Sequence, residues 1–217
     1  MGTNDADKVR EYYSNVRGDV IALIEGRGLD VLELGCARGL LGAELKRTGV
    51  ARRVTGIEYN HAVAEEARKD LDEVLTGDLD SMALTFPPAS FDLIVAADVL
   101  EHLRDPWGVL GRLRLTLKPG GRVVASVPNV KYIRVLFDLI FRDRFTYRSF
   151  GILDSTHLRF FTRRTAVKLF VAAGYHVTGA SFRKSPHWKS RMLDVVTLGL
   201  LRSFFSEQVL LVASKPD

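Results

Sequence analysis

The sequence predicts an α/β fold built on a buried parallel sheet. Short apolar runs rich in β-branched residues alternate with segments long enough for a helix, as expected when parallel strands are covered on both faces. These runs are Val31–Leu34, Arg53–Ile57, Phe91–Ala96 and Val123–Val127. Helix starts fall between them. Asn60 can cap a helix that runs to Glu73, and Asp105 can cap a helix with Pro106 in its first turn.

Further elements precede and follow this alternation. A helix is expected over residues 8–25, and His176–Phe182 and Gln208–Ser214 are predicted strands. Residues 128–161 leave the carboxyl end of a strand, where ligands bind in open α/β sheets, and are predicted to form a lid-like insertion. Residues 184–207 are predicted to add a helical segment, and residues 1–217 are interpreted as a single domain.

The composition excludes several classes of protein. The chain has 217 residues, of which 47% are apolar and 26% charged, which is ordinary for a globular protein. No apolar run reaches the roughly 20 residues that span a bilayer. The polar amino terminus lacks the pattern of a signal peptide, so a cytoplasmic location is expected. One cysteine excludes an internal disulfide, and five histidines without ligand spacing lead us to expect no metal site.

Charge is distributed unevenly along the chain. Residues 54–105 contain twelve acidic side chains and three basic ones, whereas residues 131–191 contain thirteen basic side chains and three acidic ones. Two interpretations stay open. The two halves attract each other across solvated faces, or the basic half binds an anionic partner.

A turn of small residues follows the first predicted strand. Gly35 and Gly39 would let the backbone approach a ligand that a side chain would block. Their spacing does not fit the G-x-G-x-x-G pattern of dinucleotide-binding loops. The turn alone therefore leaves a plain connection between strand and helix as an alternative.

Two acidic residues make the turn more informative. Glu58 ends the second strand, where a carboxylate can accept hydrogen bonds from both hydroxyls of a ribose. Asp78 follows the expected third strand, in the corresponding place for an adenine amino group. Each acid alone is typical of a solvated loop, but together they match an adenosine.

Five segments, taken in order, resemble the motif series of class I S-adenosylmethionine (SAM) dependent methyltransferases. They are E-L-G-C-A-R-G, the strand that ends at Glu58, G-D-L-D, F-D-L-I-V-A-A-D-V-L-E-H-L and L-K-P-G-G-R-V-V-A-S-V-P-N. The resemblance implies a Rossmann-like, doubly wound sheet of seven strands, mostly parallel with an antiparallel last strand, and helices on both faces. It implies SAM as the cofactor and S-adenosylhomocysteine as the product. Ala37 stands where the family most often has a glycine, so a tighter loop is expected.

The resemblance also implies where the cofactor binds. The turn from Gly35 to Gly39 would lie beneath the methionine moiety, Glu58 at the ribose, and Asp78 with Leu79 at the adenine. An aromatic residue near the amino terminus would close over the methionine end. The predicted cofactor-binding residues are Tyr13, Glu33, Gly35, Cys36, Gly39, Glu58, Tyr59, Asp78, Leu79 and Ala97.

Methyl transfer from a sulfonium is an in-line displacement, so the protein must mainly align the acceptor and exclude water. An alcohol acceptor must also lose its proton. The candidate catalytic residues are Asp98 and His102 after the fourth strand and His157 in the insertion. Cys36 has no partner base nearby and is expected to pack inside the turn. The strand end also lacks the D-P-P-Y type tetrad of base N-methylation, so no nucleic-acid partner is expected.

The segment D-S-T-H-L-R-F-F-T resembles a bacterial subgroup associated with methylation of small molecules, sugars and cell-surface polysaccharides. The expected reaction is O-methylation of a small polar acceptor such as a sugar. The alternatives are N-methylation of an amino sugar, a non-catalytic SAM-binding accessory or regulatory protein, and a peripheral protein on an anionic membrane. Arg134, Arg148 and Arg159 are candidates for binding an anionic acceptor. A homodimer is left open.

Overall fold

The computed structural model describes residues 16–183, residue 197 and residues 201–216. The start of the predicted first helix lies outside these residues, and so does most of the predicted helical segment 184–207. Within the two predicted segments, the described residues form the short helices Gly18–Ile21 and Arg202–Phe205.

Strands and helices alternate along the described chain. The strands are β1 (Leu29–Leu34), β2 (Ala51–Glu58), β3 (Glu73–Thr76), β4 (Phe91–Ala97), β5 (Leu117–Pro128), β6 (His176–Phe182) and β7 (Gln208–Ser214). The helices are α1 (Gly18–Ile21), α2 (Leu40–Arg47), α3 (His61–Ala67), α4 (Pro106–Thr116), α5 (Ile133–Arg142), α6 (Arg163–Ala172) and α7 (Arg202–Phe205). A 3₁₀ turn, Leu100–His102, connects β4 to α4.

The seven strands form one sheet in the order β3-β2-β1-β4-β5-β7-β6. β1 pairs in parallel with both β2 and β4, so that Leu34 stands beside Ile57 on one side and Ala96 on the other. β7 runs antiparallel to its neighbours β5 and β6. The predicted seven-stranded sheet with an antiparallel last strand is confirmed. The strand order reverses between β1 and β4, which is where ligands bind in sheets of this kind.

Apolar side chains cover both faces of the sheet. On one face, Leu32 and Ile94 pack in a cluster with residues of α4 and α6. On the other face, Val31 and Leu93 pack with residues of α1, α2 and α3. Neighbouring side chains of one strand therefore pack on opposite faces of the sheet. Because both faces are covered, the strands are apolar throughout. The predicted helices on both faces are confirmed.

Side-chain caps fix two helix starts, as predicted. The Asn60 carboxamide oxygen accepts hydrogen bonds from two amides in the first turn of α3, and an oxygen of Asp105 accepts one from Gly108 N at 3.0 Å in α4. The predicted end of the first of these helices at Glu73 is wrong. α3 ends at Ala67, because Glu73 begins β3 and pairs there with Thr55 of β2.

Residues 128–161 contain α5 and then a stretch with little regular structure. α5 buries Val135, whereas Ile140 and Phe141 are largely exposed. Beyond the helix, an isolated bridge joins Arg148 to Asp154. Across the described ranges, we find no helix that is both long enough and apolar enough to span a bilayer.

Close packing beneath the first turn gives a test of the fold. A Cβ atom at Gly56 in β2 would lie 2.6 Å from Cys36 Sγ and 2.9 Å from a methyl carbon of Leu71. We expect Gly56→Ala to lower the free energy of unfolding by about 1 to 3 kcal/mol, the usual cost of overpacking. Urea unfolding followed by circular dichroism measures the change.

A second glycine provides the control. Gly111 lies inside α4, and a Cβ atom there would meet nothing within 4 Å among the described residues. Gly111→Ala should leave stability unchanged or raise it by up to about 1 kcal/mol, because alanine favours the helix. Equal unfolding midpoints for the two variants would contradict the packing described for Gly56.

Candidate active site

The turn after β1 adopts a backbone that requires small residues. Gly35 and Gly39 have φ angles of 59° and 79°. A Cβ atom at Gly35 would lie 2.6 Å from a methyl carbon of Val99, and one at Gly39 would lie 3.2 Å from the Ala67 backbone. Ala37 also has a positive φ, 47°, at the position where the sequence pattern departs from glycine. The loop therefore keeps the backbone of a glycine turn at some cost in strain at Ala37.

Glu58 is joined directly to this turn. One carboxylate oxygen accepts a hydrogen bond from Ala37 N and the other from Asn60 N, both at 2.9 Å. The side chain thus links the end of β2 to the turn after β1. Each oxygen can accept a further hydrogen bond, and Tyr59 next to it exposes 77% of its surface.

Asp78 lies one strand further along the same edge of the sheet. Gly77 N donates a hydrogen bond to the Glu58 carbonyl at 3.0 Å, which places the segment after β3 beside the end of β2. One Asp78 oxygen accepts from Asp80 N at 2.9 Å, and the other lies 3.3 Å from the Arg104 guanidinium. Leu79 is buried behind them. The structure brings together the turn and the two acids that the sequence indicated.

Glu33 and Cys36 lie in the interior beneath the turn. Glu33 is 5% exposed, and no described residue bonds to its Oε2 atom. Burial raises the pKa of Glu33 to about 8, against the effect of a hydrogen bond from the Gly42 backbone. Burial likewise raises the pKa of the Cys36 thiol, so that a thiolate is disfavoured. Cys36 packs against Gly56, in agreement with a packing role. Tyr13 lies outside the described residues.

Asp98, a predicted catalytic residue, is buried after β4 with a φ of 56°. Its oxygens accept hydrogen bonds from Ser126 Oγ at 2.8 Å and from Gln208 Nε2 at 2.9 and 3.0 Å, and the Arg17 guanidinium pairs with them. A carboxylate so fully engaged is poorly placed to accept a proton. Its contacts instead hold the end of β4 to β5 and β7 beside the partly buried Ala97. Sequence reasoning did not find the three partner side chains, because they come from distant parts of the chain.

His102 and His157, the other predicted catalytic residues, are in contact. Their ring centroids are 4.7 Å apart with the rings nearly perpendicular. His102 lies in the 3₁₀ turn and His157 in the insertion, whose Leu158 and Arg159 amides donate to the Glu101 carbonyl at 2.8 and 3.0 Å. Burial, and next the neighbouring His157, lower the pKa of His102, so that its neutral form is favoured near pH 7.

Glu101 is a site residue that sequence reasoning missed. Its side chain is 1% exposed, and its carboxylate lies 4.0 Å from His157 Nε2. No described residue donates a hydrogen bond to either carboxylate oxygen. Burial, and next the charge of Asp98, raise the pKa of Glu101 well above its ordinary value. The available signal was its place in D-V-L-E-H, directly between the apolar Leu100 and the candidate residue His102.

The three candidate arginines occupy different settings. Arg159 bonds to the Arg104 carbonyl, and its guanidinium lies 5.9 Å from the Trp107 ring. Arg148 is fixed through its backbone, which exchanges hydrogen bonds with Leu153 and Ser155 at 2.8 Å, and its side chain is exposed. Arg134 is exposed on α5. Arg159 is thus an anchor of the insertion on the turn after β4.

Comparison with known proteins identifies the family. Residues 8–179 match the model of a methyltransferase domain family, and the chain belongs to that family. It is 38% identical over 102 residues to a Mycolicibacterium smegmatis protein named "Probable S-adenosylmethionine-dependent methyltransferase", covering 47% of this chain and 39% of that one. It is 34% identical over 105 residues to the mitochondrial ubiquinone biosynthesis O-methyltransferase of Schizosaccharomyces pombe, covering 46% and 38%. The chain therefore spans about two fifths of the length of these relatives.

Solved structures agree with the fold. The crystal structure of a SAM-dependent methyltransferase from Archaeoglobus fulgidus has a TM-score of 0.69 at 18% identity, covering 99% of this chain and 95% of that one. At this identity the likeness shows the fold alone. The family match and the SAM-dependent relative confirm the expected methyltransferase family and SAM as the cofactor of that class of enzyme.

The buried Glu33 carboxyl predicts a pH dependence of stability. Its pKa in the folded protein is about 8, above the ordinary 4.5, so its stabilising contribution is complete below pH 4.5 and is lost as the pH rises through 8. Relative to Glu33→Gln, wild-type protein should lose a few kcal/mol of unfolding free energy between pH 5 and 9, at about 1.4 kcal/mol per pKa unit.

Urea unfolding of both proteins at pH 5, 7 and 9, without cofactor, measures this difference. Glu25→Gln is the matched control, since the Glu25 side chain is 84% exposed; its curve should follow wild type at every pH. A constant difference between wild type and Glu33→Gln across this range would show that Glu33 does not hold its proton in the folded protein.

Proposed function

We propose that this chain is a cytoplasmic SAM-dependent methyltransferase that methylates an oxygen atom of a small polar acceptor, a sugar or related metabolite. The observation that carries the proposal is the Glu58 carboxylate, bound to the turn after β1 and lying beside Asp78 at the edge where the strand order reverses. Membership of the methyltransferase family supports methyl transfer as the reaction.

The cofactor would bind along this edge with its adenosine over β2 and β3. The Glu58 oxygens, already oriented by two backbone amides, would accept the ribose hydroxyls. Asp78 would accept from the adenine amino group while buried Leu79 packs beneath the ring. The backbone from Gly35 to Gly39, held in its turn by packing against Val99 and Ala67, would lie under the methionine moiety. The proposed binding set is the one that the sequence indicated.

The acceptor would lie beyond the ends of β4 and β5, where the insertion meets the 3₁₀ turn. The in-line displacement requires that an acceptor oxygen face the methyl group and give up its proton. A neutral imidazole of the His102–His157 pair is suited to take that proton. The structure favours these histidines over Asp98, whose oxygens already accept several hydrogen bonds.

The basic insertion would select the acceptor. Arg134, Arg148 and Arg159 are proposed to attract an anionic group, and residues 128–161 to form a lid of the single domain. Comparing a phosphorylated acceptor with its neutral form would test this selection, since a charged group should give salt-sensitive turnover. An amino sugar methylated on nitrogen, a non-catalytic SAM-binding protein and contact with an anionic membrane are the alternatives that a screen with labelled SAM would separate.

The role of Glu58 can be tested by its affinity for SAM. Glu58→Gln retains the shape of the side chain but removes its charge and one acceptor oxygen. We expect SAM to bind at least tenfold more weakly, because ribose hydroxyls buried without a partner cost roughly 1 to 3 kcal/mol each. Titration calorimetry measures the dissociation constant.

Glu73→Gln is a matched control. Glu73 begins β3, at the amino ends of the parallel strands, and its side chain is 43% exposed and pairs with Arg53. It should bind SAM as wild type does. If Glu58→Gln also binds SAM with wild-type affinity, the placement of the ribose at Glu58 is wrong.

The histidine pair can be tested by turnover. His157→Ala should keep its affinity for SAM yet lose about 10² to 10⁴ in rate on an acceptor found with labelled SAM, the usual contribution of a group that accepts a proton. His61→Ala, which removes an imidazole whose side chain is 77% exposed on α3, should keep full turnover. If His102→Ala and His157→Ala both keep full turnover, neither histidine accepts the proton, and alignment of the acceptor alone promotes the reaction.

A further inference from the structure

Three side chains with metal-binding chemistry converge beside the candidate active site. They are Glu101 and His102 in the 3₁₀ turn and His157 in the insertion. One ligand atom of each lies within 4.8 Å of the ligand atoms of the other two. Glu101 and His157 are buried, and His102 is partly buried.

The hydrogen bonds of His102 determine which of its nitrogens carries a lone pair. The Thr156 hydroxyl donates its one hydrogen to an Asp154 oxygen at 2.7 Å. The same hydroxyl oxygen lies 3.1 Å from His102 Nδ1 and must therefore accept a hydrogen from it. In the neutral ring this leaves the lone pair on Nε2.

His157 has the same tautomer for a similar reason. Its Nδ1 atom lies 3.0 Å from the Ile152 carbonyl oxygen, which can only accept, so Nδ1 carries the hydrogen. The lone pair is again on Nε2, and this atom is the one that faces a Glu101 oxygen at 4.0 Å. Both imidazoles are thus held in the form that binds metals, with Nδ1–H bonded to an oxygen, as is usual for ligating histidines.

The buried Glu101 carboxylate has no hydrogen-bond donor among the described residues. Its side chain is 1% exposed, and neither oxygen accepts a hydrogen bond from a described residue. Its backbone carbonyl, by contrast, accepts two amides of the insertion, which fix the position of His157 relative to the carboxylate. A buried carboxyl of this kind either keeps its proton or pairs with a positive charge.

We propose that Glu101, His102 and His157 bind a divalent first-row transition metal ion, through one carboxylate oxygen and the two Nε2 atoms. The separation of 4.0 Å between His157 Nε2 and Glu101 is short enough for one ion, at about 2.0 to 2.2 Å from each ligand, to reach both atoms. Two imidazoles favour zinc, iron or a similar metal over magnesium or calcium. Three protein ligands leave coordination positions open.

The proposal departs from the sequence-based expectation of no metal site. That expectation rested on spacing along the chain, and His102 and His157 are far apart in sequence. The insertion brings them together by hydrogen bonding to the turn after β4. If the proposed function holds, an acceptor hydroxyl would take an open position, where the ion would lower its pKa so that its proton passes to solvent water as the oxygen takes the methyl group. The histidines would then act through the ion instead of accepting the proton themselves.

Metal binding can be measured without cofactor or acceptor. We would strip the full chain with a chelator and titrate it with Zn²⁺ by calorimetry, and with Co²⁺ by visible absorption. Wild type should bind one ion, with cobalt bands that report nitrogen and oxygen ligands. His157→Ala and Glu101→Gln should each bind at least 100-fold more weakly, and His61→Ala, which removes an exposed imidazole, should bind as wild type does.

Because substitution of the buried Glu101 or His157 can also unfold the protein, a variant at an exposed residue provides a second test. Thr156→Val removes the exposed hydroxyl that orients His102 and should weaken zinc binding by about 10- to 100-fold with unchanged circular dichroism. Wild-type protein that binds no zinc, or binding that is the same in all these variants, would overturn the proposal and leave Glu101 as a protonated acid beside His157. Because Glu58→Gln tests SAM affinity separately, failure of the metal site and failure of the proposed function are distinguishable.

Discussion

The parallel pairing of β1 with both β2 and β4 is the constraint on which the candidate site depends. Because the three strands run in the same direction, their carboxyl ends meet at one edge, and the chain must leave that edge by three different connections. The first connection is the turn at Gly35, the second begins directly after Glu58, and the third contains Val99. Val99 occupies the space that a Cβ atom at Gly35 would need. The shape of the turn is therefore set by its neighbours in the sheet as well as by its own sequence.

Three buried acids at this edge of the sheet have different surroundings. Asp98 pairs with a guanidinium and accepts hydrogen bonds from a hydroxyl and an amide. Glu33 has a raised pKa and keeps its proton near neutral pH. No described residue donates a hydrogen bond to the Glu101 carboxylate. Of the three acids, Glu101 is therefore the one whose buried carboxyl group still needs a bound partner or a proton.

Local patterns predicted the sheet well, because apolar runs, caps and glycine turns act over a few residues. The strands β1, β2 and β4 and the cap at Asn60 follow from such patterns. The end of α3 does not follow from a local pattern. It depends on the pairing of Glu73 with Thr55, which is a contact between two strands. The contacts of Asp98 with Arg17, Ser126 and Gln208 and the meeting of His102 with His157 depend in the same way on topology. Sequence could name these acids and histidines, but not what they touch.

The contacts of the insertion divide it into two parts with different consequences for the acceptor site. The later part, around His157, is held by two amide hydrogen bonds to the Glu101 carbonyl and by the anchoring of Arg159 on the turn before α4. The earlier part carries α5, whose Ile140 and Phe141 side chains are 67% and 72% exposed. A motion that covered the acceptor would break few described contacts if it involved α5, whereas moving His157 would break the hydrogen bonds that orient it. The fixed part therefore suits the proposed chemistry, which needs placed groups, and α5 suits the proposed closure over an acceptor.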